Sequence, residues 1–255
     1  MRSERVALLA ILAALRSPLG AQDAPSSIAT DRPAVTDSSV VVPAGSLQAE
    51  NGFLISTSQG STTFDAPETL IRFGLTSKTE LRFTAPDFYQ VLSGPSMQGF
   101  GDLAAGVKQQ LGPLPGGFDL SLVVFCSFPT GAHEISSHGY DPGLQAPWSR
   151  KLSANWTVAG MFSLYAPTEG RTRNFTGESA FLLDRQLTGP LDAFIEYVGD
   201  FPESGAPHHL LHMGAAYKPA PQHQIDVHFG AGLSRAAPDH FFGFGYSFRF
   251  QALAR

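Results

Sequence analysis

A single cysteine, Cys126, stands in the chain, so no intrachain disulfide can form. Charged residues make up only 15% of it, against about 25% in average soluble domains. The formal net charge is −5 and Lys and Arg nowhere cluster, which argues against nucleic acid as a partner. Beyond the N-terminus no apolar run approaches the roughly 20 residues that a transmembrane helix needs. Local catalytic and metal signatures are missing too. There is no G-x-S-x-G, and His133-Glu134 with His138 is one residue too long for H-E-x-x-H. His208 and His212 on a strand would stand about 13 Å apart, too far for one metal. Gly99, Gly101 and Gly106 have the wrong spacing for G-x-G-x-x-G, and no helix follows them. No cofactor and no metal site are expected.

Glycine (26), proline (19) and phenylalanine (20) are plentiful, a composition that favours strands and turns. The first residues, "MRSERVALLAILAALRSPLGAQ", carry Arg2 and Arg5, an apolar run from Val6 to Leu15 and then Leu19-Gly20-Ala21. These are the three parts of a secretory signal peptide, 1–21, cleaved near Ala21. No Cys follows to carry a lipid. Residues 22–45, rich in Ser, Pro, Asp and Ala, read as an extended periplasmic N-terminal segment.

From Leu47 onward the chain alternates with period two. Candidate strands fall near 46–58, 67–75, 79–86, 100–111, 118–128 and 142–150. Six more fall near 153–166, 173–186, 190–200, 207–218, 222–233 and 240–250. Twelve is an even number, and most are about 9–11 residues or slightly longer, enough for a tilted strand to cross a bilayer. Short links ("TSK", "GPLPGG", "RKL", "LTG", "PAPQ") alternate with longer ones at Gln59–Ala66, Asp87–Gly99, Pro129–Asp141, Pro167–Thr172, Phe201–Ala206 and Ser234–Asp239. Outer-membrane barrels sort their connections this way, with tight periplasmic turns and longer external loops.

The two strand faces differ in a telling manner. Phe242, Phe244, Tyr246, Phe248 and Phe250 oppose Gly243, Gly245, Ser247 and Arg249. Ile225, Val227, Phe229 and Ala231 oppose Asp226, His228, Gly230 and Gly232. Small residues with isolated charges suit a crowded lumen, whereas a soluble sandwich would place long charged side chains outside. The polar face supplies the lumen candidates: Glu50, Arg72, Glu80, Arg82, Asp102, Lys108, Asp226, His228 and Arg249. In "PETLIRFGLTSKTELRF" the charges occupy even positions, so the hairpin register must set Arg72 opposite either Arg82 or Glu80. Either way the charges form a ladder that braces the wall. Asp31 and Arg32, in "TDRP" ahead of the first strand, are placed to act as a strap or plug. The final "GFGYSFRF" also fits the way such barrels end, with five residues, 251–255, left as a tail.

Four stretches in this order carry a family resemblance: "ATDRPAVTDSSVVVPAGSLQAENGF", "PETLIRFGLTSKTELRF", "GFGDLAAGVKQQL" and "LVVFCSFPTG". The chain resembles the outer-membrane transporter family linked to the meta-pathway of phenol degradation. That resemblance implies an outer-membrane channel for small organic compounds, with no catalytic residue to carry over. The expectation is an all-β protein, one closed antiparallel transmembrane β-barrel of about twelve strands over 46–250, in the bacterial outer membrane. It would be a channel or transporter for passive or facilitated passage of small apolar or aromatic compounds, and not an enzyme. Its partners would be membrane lipid, the solute and the barrel-assembly machinery. The alternatives are a barrel enzyme, with Asp226, His228 and Ser247 on neighbouring strands, and a secreted β-sandwich or lipocalin-like binder.

Overall fold

A computed structural model describes residues 26–253. The expected signal peptide and the last two residues of the chain lie outside the described residues. The first strands are β1 (Ser46–Ser58), β2 (Ser61–Ala66), β3 (Leu70–Gly74), β4 (Thr79–Thr84), β5 (Phe88–Ser93), β6 (Gln98–Phe100) and β7 (Leu103–Gln110). Longer ones follow: β8 (Phe118–Phe128), β9 (Asp141–Lys151) and β10 (Trp156–Tyr165). A small flap, β11 (Thr168–Glu169) and β12 (Thr172–Arg173), then precedes five more. These are β13 (Thr176–Thr188), β14 (Leu191–Pro202), β15 (His208–Ala220), β16 (His223–Gly232) and β17 (His240–Gln251).

Each strand of the wall pairs antiparallel with its neighbour, and β1 closes the sheet on β17 from Ser46↔Gln251 to Thr57↔His240. Closure removes every free edge around the wall, which strands in lipid require. Twelve strand positions result, because β2 with β3, β4 with β5 and β6 with β7 each act as one interrupted strand. On β1, Leu47–Glu50 pair with β3 while Leu54–Ser58 pair with β2. The interruption holds Pro67, which has no N–H for the ladder, and Glu68 at φ 45°.

Two segments expected as loops are corrected by this arrangement. Gln59–Ala66 and Asp87–Gly99 are largely strand, forming β2, β5 and the start of β6. Gln59 and Gly60, at φ 49° and 81°, make a tight turn after which pairing resumes at Ser58↔Ser61. Those extensions carry no sustained apolar face, so alternation does not reveal them.

The side chains invert the arrangement of a soluble protein. Gln48, Glu50, Arg72, Glu80, Lys108, Glu196, His212 and Asp226 are buried inside. Phe229, Phe242, Phe244, Tyr246 and Phe250 stand exposed on the outer surface. Only Met161, Ala180 and Val198 form a buried apolar cluster among the described residues, and it too faces the interior. A wall that hides charge and displays phenylalanine is built for lipid as its outer solvent. In the hairpin of β3 and β4, Arg72 stands opposite Arg82 and Gly74 opposite Glu80. The first of the two registers allowed by the sequence is the one adopted.

Candidate functional site

The interior is occupied by the segment that precedes β1. Ile28 N–H donates to the Pro221 carbonyl at 2.6 Å, and the Arg249 guanidinium donates to the Ser26 carbonyl, both near the turn end of the wall. From there the chain runs past Glu50, reaches Glu196 at mid-height through Val35 and Thr36, and returns past Lys108 and Glu80. It leaves the lumen at Gly45, whose N–H donates to the Gly74 carbonyl at 2.7 Å. Proline, serine and alanine suit such a course, because the backbone must bond to the wall rather than to itself.

Charge fixes this loop to one side. Asp31 accepts from Arg82 Nη1 at 2.6 Å and from Lys108 Nζ at 3.1 Å, and its carboxylate lies 3.1 Å from Arg72 Nη1. Arg72, fully buried, also donates to Glu80 at 2.8 and 3.0 Å, to Glu50 at 3.0 Å, and to the Ala29 and Val40 carbonyls. Asp37 accepts from Arg82 at 3.0 Å. The wall alone brings three cations, Arg72, Arg82 and Lys108, against two carboxylates, Glu50 and Glu80. Asp31 and Asp37 supply the missing negative charge. Burial alone would raise the Asp31 pKa, but the three cations outweigh it and hold the carboxyl well below the usual carboxylate range. Asp37, where burial and then Asp31 dominate, is pushed up.

Arg32 anchors the segment in a second place. Its guanidinium reaches Glu68 at 2.6 Å, Asp226 at 3.5 Å and His228 Nε2 at 3.5 Å. Gly52 and Gly245, paired across β1 and β17, make the room, since a Cβ at either would run into that guanidinium. These two glycines are therefore space for a side chain that arrives from outside the wall, whereas Gly230 and Gly243 make room for Phe241 and His228 of the wall itself.

Of the expected lumen residues, Glu50, Arg72, Glu80, Arg82, Lys108, Asp226, His228 and Arg249 point inward and contact the segment or its anchors. Asp102 is the exception. It lies between β6 and β7 and accepts from Gly131 N–H at 2.8 Å, Ser136 Oγ at 3.1 Å and Ser137 N–H at 3.1 Å. Its carboxylate ties down the Pro129–Asp141 loop and has no bond to Lys108, because the break after Phe100 takes it out of the ladder. The Asp226, His228 and Ser247 trio of the enzyme alternative is not a relay either. His228 is bonded to His212 and faces Arg32, while Ser247 Oγ has no partner.

Several interior residues were missed from sequence: Glu196, His212, Gln48, Gln224 and the Glu178–Asp200 pair, which face each other across β13 and β14. Parity was the available signal. Glu196 lies on the same face as Val198, and His212 on the same face as Leu210. The ion pairs to the wall lie on β3, β4, β7 and β16, with hydrogen bonds to Ser121 on β8, Ser149 on β9 and Glu196 on β14, and space is left beside the segment. A cavity of about 380 Å³ runs between the segment and β9–β15, against Ala159, Leu182, Phe194 and Ala216. A second, of about 340 Å³, opens at the opposite end between Phe125, Pro142, Tyr165 and Pro167, with Glu178 and Asp200 in its wall.

Solved barrels share this architecture. The COG4313 outer membrane channel from Pseudomonas putida F1 is similar with a TM-score of 0.63 at 15% identity, covering 83% of this chain and 97% of that one. The NanC porin is similar with a TM-score of 0.57 at 7% identity, covering 79% of this chain and 98% of its own. For the KdgM porin the values are 0.54 and 9%, with 79% and 99% covered. At such identities the likeness establishes the fold, that of an outer-membrane β-barrel. No curated protein sequence matches the chain. Residues 30–250, from "TDRP" through the whole wall to Phe250, match the family model described as "Putative MetA-pathway of phenol degradation", and the chain belongs to that family.

Proposed function

We propose that the protein is an outer-membrane channel giving passive or facilitated passage to small apolar or aromatic organic compounds. One observation carries this reading: the segment fills much of the lumen and leaves only narrow cavities, whose linings set aromatic and aliphatic side chains beside isolated charges. The ion pairs of Asp31 and Arg32 hold the segment against one side of the wall. The two cavities beside it are lined by Ala159, Leu182, Ala216, Phe125 and Tyr165, with Asp184, Asp192, Lys218, Glu178 and Asp200 among them. A narrow path of that kind favours solutes with little hydration to lose. The family's association with phenol catabolism agrees with it, and the aromatic walls suit planar rings.

Uptake tests it directly. In intact cells the lipopolysaccharide leaflet slows apolar solutes, so a strain lacking the protein should take up dilute aromatic compounds more slowly, with sugar uptake unchanged. Unaltered uptake across a panel of aromatic and aliphatic carbon sources would count against the channel.

Processing and orientation belong to the same proposal. Cleavage near Ala21 delivers a chain that the barrel-assembly machinery inserts with the start of the first strand and the end of the last strand periplasmic. An epitope placed in Pro129–Asp141 should then be labelled on intact cells, and one placed at the Pro219–Gln222 turn should not. Labelling in the reverse sense would overturn this orientation.

A further inference from the structure

The two cavities share no lining residue. Between them lies the apolar cluster of Met161, Ala180 and Val198, on neighbouring strands β10, β13 and β14. Met161↔Ala180 and Ala180↔Val198 are direct cross-strand pairs, so the three side chains form one short arc around the wall. Val35, at the inner end of the segment, packs on this arc together with Leu210. The arc is shut: Met161 is 1% exposed, Ala180 0% and Val198 2%. Below it the 380 Å³ cavity reaches Thr36 and Leu182; above it the other cavity ends at Glu178.

Val35 is not held there by apolar contact alone. The Glu196 carboxylate accepts from Val35 N–H at 2.9 Å and from Thr36 N–H at 2.8 Å. Glu196 is bonded to His212 Nδ1 at 2.8 Å, and His212 Nε2 lies 3.0 Å from His228 Nδ1. His228 Nε2 in turn faces Arg32 at 3.5 Å. One donor sequence satisfies all of these contacts: Arg32 to His228, His228 to His212, and His212 to Glu196, each imidazole carrying its proton on Nδ1. The stretch 32–36 is thus gripped at both ends by one buried chain.

We propose that Val35, seated on Met161, Ala180 and Val198, is the selectivity filter of the channel, and that the Glu196–His212–His228 chain is the latch that holds it. The proposal rests on the channel reading above and adds the place and the chemistry of selection. Where the Val35 side chain meets Met161, Ala180 and Val198, hydrocarbon faces hydrocarbon, and such a constriction excludes ions and hydrated sugars by dewetting. A small uncharged organic molecule exchanges one apolar contact for another as it displaces Val35. The class selected is therefore neutral and weakly hydrated, whichever ring or chain it carries.

The filter and the latch make separable demands on single-channel recording in planar bilayers. Val35→Ala, a change in the segment that leaves the wall intact, should enlarge the unitary ion conductance and admit arabinose in liposome swelling. Val35→Leu should keep both at the parent level. Glu196→Gln should leave the unitary conductance unchanged but raise the open fraction about tenfold, because neutral acceptors hold backbone N–H groups roughly half as strongly. The thermal midpoint of each variant in detergent verifies that the barrel is folded. If Val35→Ala changes neither conductance nor arabinose entry while aromatic uptake by cells still depends on the protein, solutes bypass Val35 and the filter is refuted. If uptake never depends on the protein, it is the channel reading that fails.

Discussion

Arg72→Met is expected to lower the stability of the detergent-solubilised barrel by about 3–5 kcal/mol, the range seen when one partner of a buried ion pair is removed. The side chain is fully buried and is the common donor to Glu50, Glu80 and Asp31. Without it, three acidic groups and Asp37 share Arg82 and Lys108, and the Ala29 and Val40 carbonyls lose their donor. Methionine keeps most of the volume, so the loss is electrostatic. The network makes a second effect measurable. Glu80→Gln should destabilise the parent, yet cost clearly less in the Arg72→Met background, because the carboxylate has then lost its bidentate partner. Equal costs in both backgrounds would mean that the pair is decorative. Lys218→Met is the control: Lys218 and Asp192 pair at 2.9 Å with both side chains partly exposed, and such pairs contribute about 0–1 kcal/mol. Acid should act through the same cluster. Asp31 has its folded pKa held below the ordinary 3.8, so its contribution is complete above that value and disappears only as the pH falls towards the folded value.

The strand faces and the hairpin register were legible for one reason: alternation has period two, and a barrel in lipid uses both of its faces. Arg72, Glu80 and Arg82 share even parity, so a register that brings them together was required before any coordinates. Lys108 followed from the same reasoning. What parity cannot show is distance through the lumen. Asp31 meets Lys108 across 77 positions and Arg32 meets Asp226 across 194, through a segment with no period of its own. The latch stayed hidden because Glu196 sits inside "FIEYVGD", where nothing local marks a carboxylate that bonds a segment 160 positions away. Asp102 misled in the other direction: its parity matched Lys108, but it sits in the break between β6 and β7, and the loop claims the carboxylate. The extensions β2 and β5 escaped because strands beyond the lipid need no apolar stripe.

The outer surface gives the sharpest test of lipid as the solvent. Val227 lies midway along β16, exposed, with Ala215 and Phe244 beside it on β15 and β17. Val227→Arg is expected to cost about 2–4 kcal/mol in folding into bilayers, as arginine does on a lipid-facing strand at the midplane. Tyr217 is exposed on β15 only three residues from the turn end of that strand. Tyr217→Arg should cost about 0–1 kcal/mol, because its guanidinium reaches the headgroups. Urea titrations of folding into vesicles give both numbers. The contrast decides between solvents as well as positions. On a water-soluble sandwich the two outward sites would be equivalent, and an arginine at Val227 would cost almost nothing. Equal penalties at both sites would instead displace the hydrocarbon band from the middle of β16. Only a barrel whose apolar band is centred near Val227 makes the central substitution expensive and the terminal one cheap.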